Sequence, residues 1–479
     1  SMVYASVDAD GGQIWRSTDG GRTYTQRAGL GTDGKKVKYL GKQGFYDNVI
    51  WAGDPANTSL VVVGGIDLWR STDGGDRLVD ISTWWDKRSA HADQHCIVTD
   101  PRFGQGGNRR IYVGNDGGVF TTPDVSTVGS DTRPPRIRGW KELVNSFPVT
   151  QFFGGAGNPA TGTIIGGAQD NGTLRFTPDG GTEGWTTMYG GDGGHCAADP
   201  TDPQCFYGEY VYLNVHRSTN GGATAEYISG QFFNQQTQQW DWKPVPYQIE
   251  DARFQRALFI APFVLDPNQP RRLLAGGRSL WRTEDAKAPN TTGRGPVWRT
   301  IKPPAAGNIS AIAVAEGNSD LVWVAHETGD VYVTTNGTAA SPAWRKVSGG
   351  GAGSLNVQRF CTRLVLDASA GGRTVYATFG GYNRDNVWKT TDGGTTWRSI
   401  GGGLPEAPVR ALAIHPDRPL FIYVGTEVGV FASEDGGSTW SPTNEGPTNC
   451  SVDHLFWMNR TLVSVTHGRG MFQIDLAGI

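Results

Sequence analysis

Sulfur, an excess of charge of either sign and long apolar runs are all scarce in this chain. Lys and Arg total 43 against 46 Asp and Glu, a net charge of -3, so there is no electrostatic footprint for nucleic acid. No apolar run reaches the ~18 residues that a membrane-spanning helix needs. Five cysteines and four methionines in 479 residues are too few for a small disulfide scaffold. Cys196 and Cys205 bracket a tight Asp-Pro-Thr-Asp-Pro-Gln turn and would oppose each other if its flanks pair. That allows a cross-strand disulfide in an oxidising compartment, with buried free thiols as the alternative. Ser1-Met2 looks like a cloning remnant, so a removed secretory leader and a secreted protein are expected.

Glycine is what the chain has in abundance: 69 residues, about double the usual ~7%. Its glycines follow no three-residue period, which excludes collagen, and 17 Trp, 15 Tyr and 19 Phe argue against disorder. Glycine turns between short aromatic and β-branched runs predict an all-β protein.

Internal repetition sharpens that reading. Ser17-Thr-Asp19-Gly-Gly21-Arg-Thr23-Tyr24 recurs as Thr390-Thr-Asp392-Gly-Gly394-Thr-Thr396-Trp397 and Ser433-Glu-Asp435-Gly-Gly437-Ser-Thr439-Trp440. Weaker copies contain Asp73 and Asn220, and more eroded ones surround Asp124, Asp179, Asp285 and Asn336. The mean spacing is about 52 residues, close to a four-stranded propeller blade. Each unit reads as strand, turn, strand, tight turn, strand, box, strand. A boxless unit, Leu462 to Phe472, ends the chain, and the unit at Val3 lacks its first strand. About ten blades in one domain over 1–479 are expected, the incomplete first and last ones closing the ring.

The box resembles the Asp-box, or bacterial neuraminidase repeat, of sialidases, two-propeller xyloglucanases and ten-bladed sortilin receptors. The chain also resembles secreted bacterial "glycosyl hydrolase" or sortilin-like repeat proteins. The matching segments are Gly44-Phe-Tyr-Asp47, His91-Ala-Asp-Gln-His95, Gly114-Asn-Asp-Gly-Gly118, Gln151-Phe-Phe153, Gly167-Ala-Gln-Asp-Asn-Gly172 and His467-Gly-Arg-Gly470. The resemblance implies a propeller and leaves activity open, since one fold hosts many functions. It disfavours a sialidase, which needs an arginine triad and a Phe/Tyr-Arg-Ile-Pro segment that Pro135-Arg-Ile137-Arg does not supply. A Gly-x-Ser-x-Gly elbow and a phosphate loop are missing too.

The box aspartates Asp19, Asp73, Asp392 and Asp435 are read as structural, each carboxylate holding nearby backbone N–H groups. Chain direction puts every box at one end of its sheet, so function is sought at the other. There, three consecutive units are rich in polar groups. His91-Ala-Asp93-Gln-His95 opens a strand whose alternation would point His91, Asp93 and His95 to one side. Asn115-Asp116 forms a turn of that unit; the next unit brings Gln151 and Gln169-Asp170-Asn171, and the following one Asp192 and His195.

These residues admit three uses. Asp93, Asp116, Asp170 and Asp192 could include the acid and base of glycoside hydrolysis. His91, Asp93 and His95 could hold a divalent metal, which the first use does not require. All of them could instead cap strand ends. Gln151, Gln169, Asn171, Trp84, Trp85 and Trp240 are candidate substrate contacts, the aromatics by stacking on sugar rings. The insertion from Gly230 to Ile249, which also holds Phe232, Phe233 and Trp242, is the expected lid or partner contact. A secreted propeller that binds or hydrolyses a polysaccharide is thus expected, with a non-catalytic peptide-binding module as the alternative.

Overall fold

Runs such as Val61–Gly64 and Ile422–Thr426 are short, β-branched and bounded by glycine turns, and each forms one strand. Consecutive strands pair antiparallel, so each repeat folds back on itself as a sheet. The computed structural model describes residues 1–86, 88–129, 139–144, 149–229, 248–289, 295–351, 353–441 and 446–478. It also describes the backbone of the paired strands Gln231–Asn234 and Gln239–Trp242. The architecture is that of an all-β, multi-blade propeller. Among the described residues its ten blade sheets comprise seven of four strands and three of three strands.

The chain divides into two compact units, Ser1–Phe147 and Pro148–Ile479. The first holds three sheets, whose leading strands Val3–Val7, Val49–Trp51 and Gln94–Thr99 lie side by side. Its core fills the spaces between sheets, with Tyr39, Val61 and Leu78 in one and Trp51, Ile111 and Trp140 in the next.

Among the described residues the second unit holds seven blade sheets besides the pair Gln231–Asn234 and Gln239–Trp242, and the seven close on one another. The leading strand of the fourth sheet, Phe152–Asn158, packs against Ser451–Met458 and Thr461–His467 of the tenth. Glycine makes that closure possible. A Cβ at Gly155 would meet Met471, Phe456 and Val465 at 3.1 Å, and one at Gly157 would stand 2.4 Å from Met458 Sδ. Unbranched, deformable methionine fills the seam. A bridge between Gln151 and His467, and a bond from Gly468 N to Thr150 O of 3.1 Å, complete it. The expected ring of ten, closed by the first and last sheets, is therefore corrected to a closed set of seven. The first and tenth sheets each keep three strands of their own.

Asp435 accepts from the backbone of Ser438 and Thr439, each at 2.9 Å, and from Thr439 Oγ1 at 2.7 Å. These donors hold its carboxyl down at about 2.

Cys196 and Cys205 are not bonded; all five thiols are free. The hairpin forms, but in another register. Cys196 stands opposite Gly208, while Asp199 N donates to Cys205 O at 3.1 Å. The asymmetric turn between them shifts the pairing by three positions, so the two sulfurs never face each other. No helix among the described residues is long and apolar enough to cross a membrane.

Candidate active site

In the first unit, the third sheet runs through Gln94–Thr99, Ile111–Asn115, Gly118–Thr122 and Lys141–Glu142. Its leading strand begins at Gln94, so His91 and Asp93 precede it, and the expected alternation of His91, Asp93 and His95 does not occur. Asp93 has φ +63°, and the register slips between Gln94 and Cys96, leaving His95 on a bulge. Both features redirect side chains. The donor atoms of His91, Asp93 and His95 do not gather into one metal-sized group. His91 lies instead over Gly117, where any Cβ would come within 2.4 Å of its ring.

The bulge aims His95 at the turn after Asn115. His95 Nε2 lies 2.7 Å from Asp116 Oδ1, and Tyr46 Oη donates to Asp116 Oδ2 at 2.9 Å. The rings of Tyr46 and His95 meet edge to face, with centroids 4.9 Å apart. Beside them, Gln43 Nε2 donates to Asp93 Oδ1 at 2.6 Å and to Asp47 Oδ2 at 2.8 Å. Asp47 is wholly buried, and burial pushes its carboxyl above the usual range. Carboxylate oxygens of Asp93 and Asp116 lie within 4.8 Å of each other. Three acidic groups thus share one basin, and two of them receive the same amide. Such an arrangement favours one retained proton. Phe45, 86% exposed, and Tyr46 stand beside it. Asp47, Tyr46 and Gln43 were not among the candidate site residues. The segment Gly44–Asp47 stood out in the sequence, but nothing marked its carboxylate as a partner of Asp93.

In the second unit, the turn of the fourth sheet carries Gln169, Asp170 and Asn171. Asp170 N donates to Asp192 Oδ1 at 3.0 Å, and Gln169 Nε2 reaches Asp170 Oδ1 and Asp192 Oδ1, both at 3.2 Å. Asn171 Nδ2 donates to Gln169 O at 2.9 Å. Asp170, at φ +56°, is held in this turn by Gly172, where a Cβ would collide with Tyr189 O. Gln151 is exposed and donates no side-chain bond among the described residues; its backbone takes part in the closing seam. His195 lies behind, its pKa lowered by burial to about 3, so its imidazole stays neutral.

Trp84 and Trp85 are 46% and 47% exposed on the first unit, while the side chain of Trp240 lies outside the described residues. Asp199, Asp202 and Cys205 form a metal-sized group, but Lys287 Nζ lies 2.5 Å from Asp199 and 3.0 Å from Asp202, where a cation would sit. Two described cavities, of about 330 and 520 Å³, lie at box ends rather than at either acidic turn.

No family model matches the chain, and no curated protein matches it. Among solved structures, the chain is similar to a GH74 enzyme of Niastella koreensis at 17% identity and TM-score 0.30, covering 100% of this chain and 75% of that one. A GH74 xyloglucanase from Xanthomonas campestris aligns at 17% identity and TM-score 0.30, covering 98% of this chain and 89% of that one.

Proposed function

We propose that this protein binds and cleaves a polysaccharide through the acidic basin of its first unit. The observation that carries the reading is the trio Asp47, Asp93 and Asp116. Asp93, which receives the same Gln43 amide as the buried Asp47, is assigned as the general acid. Asp116, oriented by His95 and Tyr46, is the opposing carboxylate. Oxygens within 4.8 Å sit nearer the ~5–5.5 Å spacing of double displacement than the ~6.5–9.5 Å of inversion. Phe45, Tyr46, Trp84 and Trp85 offer ring faces to sugars. Asp170, Asp192, Gln151, Gln169 and Asn171 of the second unit are assigned to glycan contact, not chemistry. The reading needs no metal ion, and secretion, which belongs to it, stands without support from a disulfide.

The test incubates the protein with plant and microbial glycans and measures new reducing ends. Asp116→Asn and Asp93→Asn are each expected to lower kcat by roughly 10²–10⁴-fold. Unchanged turnover in both variants would remove the assignment. Peptide binding with no glycan binding would favour the interaction module instead.

A further inference from the structure

A basic side chain on the third strand of several sheets reaches across to the next sheet. Arg70 donates to Val125 O at 3.1 Å and Val128 O at 2.7 Å. Arg217 reaches Ala286 O at 2.5 Å and Ala288 O at 2.9 Å. Arg282 reaches Thr338 O at 3.1 Å, and Lys389 reaches Gly436 O at 3.2 Å. Each is a strut that meets the carbonyls of the neighbouring turn, and Arg282 is also paired with Glu284 at 2.6 Å.

Arg175, on Gly172–Phe176 of the fourth sheet, crosses in the same way and lacks the acceptors. Its Cδ packs where a Cβ on Gly222 would be, 3.1 Å away, against the box turn of the fifth sheet. Its side chain makes no hydrogen bond or ion pair among the described residues, and its Nε is buried without a partner. The guanidinium instead lines the open cavity of about 330 Å³, together with Thr161, Thr163, Thr177, Gln204 and Asn220. Asp179, the carboxylate in that lining, forms no ion pair with it. A half-buried guanidinium whose Nε is buried and unpaired suits a planar or tetrahedral oxyanion, and the surrounding hydroxyls and amides suit a polyol.

We propose that this cleft binds an acidic saccharide unit, its carboxylate or sulfate ester paired with Arg175 and its hydroxyls with the threonines, Gln204 and Asn220. The site lies at the box end of the second unit and does not depend on the acidic basin of the first. Calorimetric titration of the full chain with a glucuronate oligosaccharide, its neutral glucose counterpart and sodium sulfate tests it. Binding of the uronide is expected, at least 10-fold tighter than that of the neutral sugar, and Arg175→Gln should weaken it at least 10-fold without shifting Tm. Arg175→Lys, which keeps charge but loses the fork, should fall between. Gln204→Leu, at an exposed rim position, gives a second reading if Arg175→Gln fails to fold, and should weaken the uronide several-fold. Asp116→Asn should bind the uronide as the unaltered protein does, which separates this site from the proposed catalytic basin. Absence of uronide binding, or equal binding by Arg175→Gln and Gln204→Leu, overturns the proposal. Sulfate bound as tightly as the uronide overturns its saccharide part.

Discussion

Asp67 sits in the tight turn of the second sheet, where it accepts from Ser82 Oγ at 3.0 Å and from the backbone of Trp84. Burial outweighs these bonds and raises its carboxyl to about 7. An unfolded aspartate titrates near ~3.9, so the folded state binds the extra proton between those values. Its contribution to stability is therefore complete below about pH 4, declines as pH rises towards 7, and is flat above that. The decline has a slope of at most about 1.4 kcal/mol per pH unit. Urea unfolding from pH 4 to 8 should show it, and Asp67→Asn should remove it; an unchanged slope in the variant would reject the assignment. At this scale the sequence was only half legible. Asp93, Asp116 and His95 could be picked out because they crowd one repeat position. Asp47 and Asp67 could not, because desolvation depends on neighbours brought in from other sheets.

Neighbouring sheets are tied together by a recurring indole. Trp140, Trp298, Trp344 and Trp440 donate to the carbonyls of Ile81, Ile228, Ile301 and Ile400, at 2.6, 3.2, 2.9 and 2.7 Å. Each acceptor belongs to the preceding sheet. Trp397 occupies the equivalent box position, equally buried, yet its Nε1 has no acceptor. Trp440→Phe should therefore cost about 1 kcal/mol more than Trp397→Phe in denaturant unfolding, because it strands the Ile400 carbonyl. Equal costs would mean that packing alone, and not the bond, fixes the sheets. The box spacing made these strands legible at the level of elements, since glycine and tryptophan recur at fixed offsets. The bulge did not show itself. It falls at His95, Phe153, Ser310, Thr362, Arg410 and Asp453 in six of the leading strands, residues with no common side-chain chemistry. Only the pairing with the second strand defines it, and that is why strict alternation misplaces His95, while His91 and Asp93 fall before the strand begins.

For the molecule as a whole, the repeat count was readable and the way the sheets close was not. Ten repeats predict ten sheets, but a period carries no information about which sheet meets which. The deciding signal is local: Gly154-Gly-Ala-Gly157 strips side chains from one leading strand, and Phe456, Met458, Val465 and Met471 fill the space from the last sheet. In a unit closed in this way each of the seven leading strands has a neighbour on both sides. The three sheets of 1–147 form a short series in which only one sheet has a neighbour of that unit on both sides. A fragment covering 148–479 should consequently fold alone, as a monomer with native near-UV dichroism and one cooperative thermal transition. A fragment covering 1–147 should expose the apolar faces of its outer sheets and associate or aggregate. Size-exclusion chromatography and calorimetry of both fragments decide this. A 148–479 fragment that lacks a cooperative transition would mean that the glycine seam does not suffice to close the seven sheets.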